Sequence, residues 1–119
     1  MDIHEALYTT RAMRRVKKDP IPDAVQQRIL DAAVRAPTGG NAQGWRFLLV
    51  DSPEVKSQLG PLYRDGLNTV FDSIYKPQAD AAEANPDAPE SVNFTKMHKS
   101  AMWLADNFED YPLMLFAFC

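Results

Sequence analysis

The sequence lacks the residues and patterns that mark several large classes of protein. Its one cysteine, Cys119, excludes a disulfide framework within the chain. No apolar run approaches the ~20 residues that a membrane-spanning helix requires, and the N-terminal residues show no apolar signal-peptide core. His4 and His98 lie far apart, without cysteines or carboxylates at metal-ligand spacing. We therefore expect a cytoplasmic protein with no membrane partner and no metal site.

The motifs of the common catalytic and nucleotide-binding sites are also missing. Gly39-Gly40-Asn41 fits neither a G-x-G-x-x-G fingerprint nor a Walker loop, and no serine lies in a nucleophile elbow. Because no side chain stands out as an acid, base or nucleophile, the sequence predicts no catalytic residue. Such a chain can still be an enzyme if a bound cofactor performs the chemistry.

The charge of the chain is unevenly distributed. The 119 residues are 45% hydrophobic and 24% charged, as in an ordinary globular domain or part of one, and the net charge is −3. Five of the 13 basic residues nevertheless fall within positions 11–18. A dense basic cluster in an otherwise acidic chain favours a local anion site, because nucleic-acid binding usually needs a broad basic face. The alternative is a solvated charged run at a helix end.

The first half of the chain reads as two helices followed by a strand. Asp2 and Glu5 resemble a capping box, which starts a helix that fades near the basic cluster. A second helix begins at Pro22, carries apolar residues at helical spacing, and ends at Pro37. Residues 45–50 form an almost continuous apolar run, which predicts a strand with both faces covered.

The second half contains further helices and a final strand. Ser52-Pro53-Glu54 marks a helix start, and Gly60-Pro61 is expected to kink or break that helix. Residues 77–92 have no apolar pattern and predict an exposed, mobile excursion. A helix is predicted over Phe94–Phe108 and a central strand over Tyr111–Cys119. Two strands make a poor sheet core, so either another chain supplies the rest or the domain is longer.

The turn that joins the second helix to the first strand is rich in groups that can approach a ligand. It reads APTGGNAQGW over residues 36–45. Gly39 and Gly40 have no Cβ, so their amides can come close to an anionic or planar ligand. Thr38, Asn41 and Gln43 add donors and acceptors. The composition favours a binding loop on a rigid scaffold, with an ordinary glycine-containing helix cap as the alternative.

Two motifs together resemble the flavin-dependent nitroreductase family. They are TTRAMRR at 9–15 and RAPTGGNAQGWRF at 35–47, in the family's order and at its separation. The resemblance implies an α/β (α+β) fold, with helices packed on a mainly antiparallel or mixed sheet. Family members continue beyond a strand such as 111–119 into a flavin loop and a C-terminal arm. Residues 1–119 are therefore expected to be the N-terminal portion of a single, truncated nitroreductase-like domain.

The resemblance also assigns cofactor-binding residues. The first motif grips the flavin phosphate and ribityl chain, and the second reaches a cofactor held mainly by the partner subunit. The positions that match are Arg11, Ala12, Arg14, Pro37, Thr38, Gly39 and Asn41, with Gln43 and Trp45 completing the second motif. Ala12 lacks the small hydroxyl usual at its position, and Gly44 replaces a common proline.

The function implied by the resemblance is an FMN-dependent oxidoreductase. Hydride would pass from NAD(P)H to the flavin and on to a small-molecule acceptor, commonly a nitroaromatic or a quinone, in a homodimer with the flavin at its interface. Among enzymes, a flavin-dependent dehalogenase or a flavin-modifying relative is an alternative. Outside enzymes, the alternative is an inactive relic that only dimerises or binds an anion.

Overall fold

The computed structural model describes residues 2–118. Within them, five helices and two strands follow one another, with short 3-10 turns at Gly39–Asn41 and Phe108–Asp110. The elements are α1 (Ile3–Thr9), α2 (Asp23–Ala33), β1 (Arg46–Val50), α3 (Pro53–Ser73), α4 (Lys76–Ala84), α5 (Pro89–Asp106) and β2 (Met114–Phe118). The architecture is helix-rich, with one small antiparallel sheet.

The predicted helix starts at Asp2 and Ser52 are confirmed by their caps. The Asp2 carboxylate accepts a hydrogen bond from the Glu5 amide at 2.9 Å, and the Ser52 hydroxyl accepts one from Val55 at 3.4 Å. Each bond satisfies an amide that the first helical turn leaves without a partner. The predicted end of α2 at Pro37 is wrong, because the helix ends at Ala33 and leads into tight turns.

The sheet is buried at only one end. β1 and β2 run antiparallel, with Arg46 opposite Phe118 and Val50 opposite Met114. Val50 and Met114 are buried, whereas Leu48 and Phe118 are more than half exposed. The expectation that both faces of β1 are covered is therefore wrong for residues 2–118. In this part of the chain β2 pairs with β1 alone and is not central, because the sheet has two strands.

The helical core is formed by α3, α4 and α5. α3 packs on α5 and on the 3-10 turn at Phe108–Asp110, and α4 packs on α5. The rings of Tyr63 and Phe108 stack with centroids 4.1 Å apart. The predicted break of α3 at Gly60-Pro61 does not occur, since the helix runs from Pro53 to Ser73 with Pro61 inside it. Gly60 is buried directly against the Glu109 side chain, where any Cβ would collide.

Residues 77–92 also differ from the sequence prediction. They form most of α4 and the start of α5 instead of an irregular excursion, so α5 begins at Pro89 and not at Phe94. Pro77 and Pro89 lie in the first helical turns, where a missing amide costs no helical hydrogen bond. The alanines of α4 favour the helix without any apolar periodicity.

The described chain is much less compact than a self-contained domain. Its radius of gyration is 17.7 Å, against about 13.5 Å expected for a globular domain of this length. Its accessible surface is 9226 Å², against about 6,500 Å² for a compact monomer of this mass. The excess lies partly on α1 and α2, neither of which contains a buried residue.

Bilayer crossing would require a longer and more apolar helix than any found between residues 2 and 118.

Candidate functional site

The turn between α2 and β1 has an unusual backbone. Gly40, Asn41 and Gln43 all lie in the left-handed region, with φ of 59°, 55° and 49°. Glycine and asparagine tolerate this region, but glutamine adopts it only at a cost of about 1 kcal/mol or more. Left-handed residues that are not glycine concentrate at functional sites, where surrounding contacts hold them in place.

Hydrogen bonds inside the turn hold this conformation. The Gln43 backbone amide donates to the Thr38 hydroxyl oxygen at 3.0 Å. The Gln43 side-chain amide donates to the side-chain oxygen of Asn41 at 2.9 Å. The Asn41 backbone amide donates to the Thr38 carbonyl at 3.0 Å. The alternative of an ordinary helix cap is wrong, because α2 is capped at Val34, well before the glycines.

One side of the turn is open to a ligand. A Cβ placed on Gly39 or Gly40 would meet no atom within 4 Å. The amides of these two glycines donate to no acceptor within residues 2–118. The Thr38 hydroxyl proton and the Asn41 side-chain amino group are also free to donate, because only their oxygens are used in the turn. The turn can therefore present several donors to an acceptor-rich or anionic ligand.

The basic segment, residues 10–18, follows α1 and is docked on the surface of the helical core. The Tyr111 hydroxyl donates to the Arg14 carbonyl oxygen. The Arg15 guanidinium lies over the Trp103 ring, 5.2 Å from its centroid, and Lys18 Nζ lies 2.7 Å from Asp110 Oδ2. The second half of the segment is therefore in contact with the core, while Arg15, Lys17 and Lys18 remain exposed to solvent. The anion site and the solvated charged run both stay predictions.

Arg11 and Arg14 remain available to an anion. Arg11 is exposed and Arg14 is half-buried, and neither guanidinium pairs with a carboxylate in the part of the chain that the structure describes. Ala12, between them, is exposed and offers only its backbone. Two uncommitted guanidinium groups suit a phosphate, which they bind through charge-assisted and partly bidentate hydrogen bonds.

Sequence reasoning missed the residues that anchor the basic segment. Lys56 is only 7% exposed, and its ammonium donates to the Tyr111 carbonyl at 2.7 Å. Burial, with a smaller effect of Tyr63, raises the pKa of the Tyr111 hydroxyl above its ordinary value. Lys56 precedes Gly60 by one helical turn, so both lie on the same face of α3, but no residue pattern in the sequence marks that face as buried.

The structure does not bring the two predicted segments together. Within residues 2–118 no hydrogen bond or ion pair joins 11–14 to 37–41. A groove of about 490 Å³ lies beside the basic segment, but it contains no residue of the turn. Its lining is Met13, Val16, Lys17, Asp19, Ile21, Tyr111, Pro112 and Leu113. Over the same residues, no group of three potential metal ligands is found.

Comparison with known proteins assigns the family. The sequence model described as the Nitroreductase family matches residues 7–118. The chain belongs to the nitroreductase family. The fold agrees with that of a BluB-like flavoprotein from Clostridium difficile 630, with a TM-score of 0.57 and 18% sequence identity. The match covers 98% of this chain and 48% of that one, and it confirms the predicted fold class.

Curated relatives of this nitroreductase-family chain carry different names. It is 41% identical over 59 residues to a Thermus thermophilus NADH dehydrogenase, covering 50% of this chain and 29% of the relative. It is 59% identical over 34 residues to the putative NAD(P)H nitroreductase YdgI of Bacillus subtilis, covering 29% and 16%. A Thermotoga neapolitana iodotyrosine deiodinase is 33% identical over 74 residues, covering 60% and 39%. The matched segments thus span well under half of these relatives.

Proposed function

We propose that this chain contributes to an FMN-dependent oxidoreductase that passes hydride from NAD(P)H to a small organic acceptor such as a nitroaromatic or a quinone. Family membership and the names of the relatives support flavin-linked redox chemistry. The observation that carries the proposal is the pair of uncommitted binding elements, Arg11 with Arg14 and the open turn at 37–41. FMN, when bound, supplies the hydride-transfer chemistry itself.

The basic segment fits the phosphate end of FMN. Arg11 and Arg14 supply two positive charges for a dianionic phosphate, and the Ala12 amide adds a backbone donor. Because Lys18 and Arg15 are committed to Asp110 and Trp103, they hold the segment and leave the other two arginines free. Arginine is suited to this task because its planar guanidinium matches phosphate geometry.

The turn fits the ring end of FMN. Reduction of the ring adds negative charge, which donors fixed in advance can stabilise without reorganisation. Thr38, Gly39 and Asn41 provide such donors, and the left-handed backbone holds them in place. Pro37 restricts the residue before it to extended conformations, so the chain leaves α2 and enters the turn in a defined direction.

We further propose a cytoplasmic homodimer in which the turn of one subunit meets the basic segment of the other. Within residues 2–118, no hydrogen bond or ion pair joins the two elements. The described chain also exposes about 2,700 Å² more surface than a compact monomer of its mass, an area comparable with that of a large protein–protein interface. Large apolar side chains are exposed on α1, α2 and the sheet, among them Ile3, Leu7, Ile29, Leu48 and Phe118.

A second candidate function is flavin-dependent dehalogenation or modification of the flavin. The match to an iodotyrosine deiodinase favours dehalogenation. The BluB-like flavoprotein shares the fold of this chain at 18% sequence identity. The matched segments cover 29% to 60% of this chain and leave most of each relative uncovered. These partial matches therefore support flavin-linked redox chemistry more strongly than they support any one acceptor.

Flavin titration tests the proposal directly. The purified chain is titrated with FMN while flavin fluorescence and the visible absorbance band are followed, and the oligomeric state is measured by light scattering. We expect saturable quenching at one FMN per chain in a dimer, and weaker binding of riboflavin, which lacks the phosphate. If the chain remains a monomer and quenches the fluorescence of neither FMN nor riboflavin, the alternative of an inactive relic is favoured.

Oxidation of NADH and NADPH by the FMN-loaded chain then separates the enzymatic alternatives. A nitroaromatic, a quinone and a halogenated phenol are offered as acceptors in parallel. Faster turnover with the first two supports the proposed oxidoreductase, whereas halide release from the third supports the dehalogenase.

A further inference from the structure

We infer that Tyr111 is a positioning residue that holds the basic segment through the Arg14 backbone and so presents the Arg14 side chain to the anion. The ligand in this inference rests on the proposed FMN site, but the hold itself is a property of the chain. The contact joins residues 97 positions apart.

Tyr111 is itself fixed by its surroundings. It follows the 3-10 turn at Phe108–Asp110 and directly precedes Pro112, whose ring limits the backbone of the residue before it. Its carbonyl accepts the buried Lys56 ammonium at 2.7 Å. Its ring meets Phe108 edge-on with centroids 6.3 Å apart, and Phe108 stacks on Tyr63 of α3. The Tyr111 hydroxyl is therefore a donor in a defined position.

The three contacts of the basic segment differ in what they fix. The Lys18–Asp110 ion pair joins two exposed side chains, where solvent screening leaves little stabilisation. The Arg15–Trp103 contact fixes a side chain through an exposed cation–π pair, which is also weak. Of these three contacts, only the Tyr111 bond is made to the main chain, and it fixes the backbone position from which the Arg14 side chain extends.

This arrangement gives the neighbouring residues Arg14 and Arg15 different roles. The Arg15 side chain contacts Trp103 and serves as an anchor. The Arg14 carbonyl accepts a hydrogen bond from Tyr111, and the Arg14 guanidinium remains free. The sequence alone could not distinguish the two, because adjacent arginines in a basic run are chemically identical. The structure assigns anion binding to Arg14 and docking to Arg15.

A double-mutant cycle tests whether Tyr111 acts through Arg14. Tyr111→Phe keeps the ring and removes the donor, and should raise the FMN Kd about threefold to tenfold, as for one lost hydrogen bond. Tyr8→Phe, on the exposed face of α1, is the matched control and should leave the Kd unchanged. In an Arg14→Ala background, Tyr111→Phe should change the Kd less than twofold. Equal effects in both backgrounds would overturn the inference.

Limited trypsin digestion without flavin tests the hold separately. Tyr111→Phe should speed cleavage after Arg14, Arg15 and Lys17 severalfold, while cleavage after Lys96 and Lys99 in α5 stays at the wild-type rate. Faster cleavage at both places would indicate general loosening and contradict a positioning role, as would unchanged cleavage at all sites. Selective cleavage in Tyr111→Phe, combined with no FMN binding by the wild-type chain, would contradict the proposed flavin site but support the contact by which Tyr111 holds the segment.

Discussion

Residues 46–118 and residues 2–45 differ sharply in how they are held. The first region contains the sheet, α3, α4 and α5, and with them the buried core residues Val50, Phe71, Ala101, Ala105 and Met114. The second region contains α1, the basic segment, α2 and the turn, and none of its residues is buried. Every proposed cofactor-binding residue lies in this second region. Binding chemistry is thus carried by the part of the chain that its own core does not fix.

The two regions are tied at one place. Within residues 2–118, the long-range side-chain hydrogen bonds between them are those of Tyr111 with Arg14 and of Lys18 with Asp110. α2 and the turn have no comparable tie. A surface from outside the described chain would therefore be needed to fix the position of the turn relative to the core. In the proposed dimer, the second subunit provides that surface.

The largest expected effect tests the contrast in packing. Phe71→Ala should lower the free energy of unfolding by about 3–5 kcal/mol, because a buried ring in contact with Phe94 and His98 is lost. Tyr8→Ala, at an 88% exposed ring, should change it by less than about 0.5 kcal/mol. Urea unfolding followed by circular dichroism measures both. A comparable loss for Tyr8→Ala would mean that Tyr8 is packed in solution against a surface outside residues 2–118, such as the second subunit of the proposed dimer, and the contrast would hold only within one chain.

The second effect concerns the proposed phosphate site. Arg11→Ala should weaken FMN binding by about 1.5–3 kcal/mol, the loss expected for a hydrogen bond between charged groups. Arg28→Ala removes an exposed arginine of α2 and should leave the affinity unchanged. Flavin fluorescence titration measures both variants. Unchanged affinity in Arg11→Ala would mean that this arginine is only part of a solvated surface.

A smaller effect separates the two glycines of the turn. Gly40→Ala places a Cβ at φ of 59° and should cost about 1–2 kcal/mol, whereas Gly39→Ala meets no neighbour within 4 Å and has no left-handed φ. The cost should appear in the FMN affinity of Gly40→Ala, and in its unfolding midpoint if the turn is coupled to the core. An equal loss of FMN affinity in Gly39→Ala would show that the missing Cβ of both glycines, and not the left-handed φ of Gly40, matters for binding.

The smallest effect compares the caps of a packed and an unpacked helix. Ser52→Ala should lower the free energy of unfolding by about 1 kcal/mol, because α3 is part of the core. Asp2→Ala removes a cap of better geometry but should reduce only local helicity, because α1 buries no residue. Denaturation midpoints and helical ellipticity distinguish the two outcomes. An equal shift of the midpoint would show that α1 unfolds together with the core.

The sequence predicted elements wherever the signal is local. The caps at Asp2 and Ser52, the family and the presence of two strands follow from short motifs and spacing, and they are confirmed. The second strand begins at Met114 and not at Tyr111, and its predicted last residue, Cys119, lies outside the described residues. Prediction failed where packing overrides a local rule. Gly60-Pro61 lies inside α3, where Gly60 packs against Glu109, and most of residues 77–92 are helical, with α4 packed on α5.

The sequence by itself determined the family and the fold class, and through the family resemblance it supplied the predicted cofactor-binding residues, because those depend on residue types at fixed short separations. Only the tertiary structure decided which arginine is committed to Trp103, that Tyr111 contacts the basic segment, and that no hydrogen bond or ion pair joins the turn to that segment within residues 2–118. Contacts between residues some 97 positions apart leave no periodic trace in a single sequence. They arise from the relative placement of elements, which depends on the packing of the whole core.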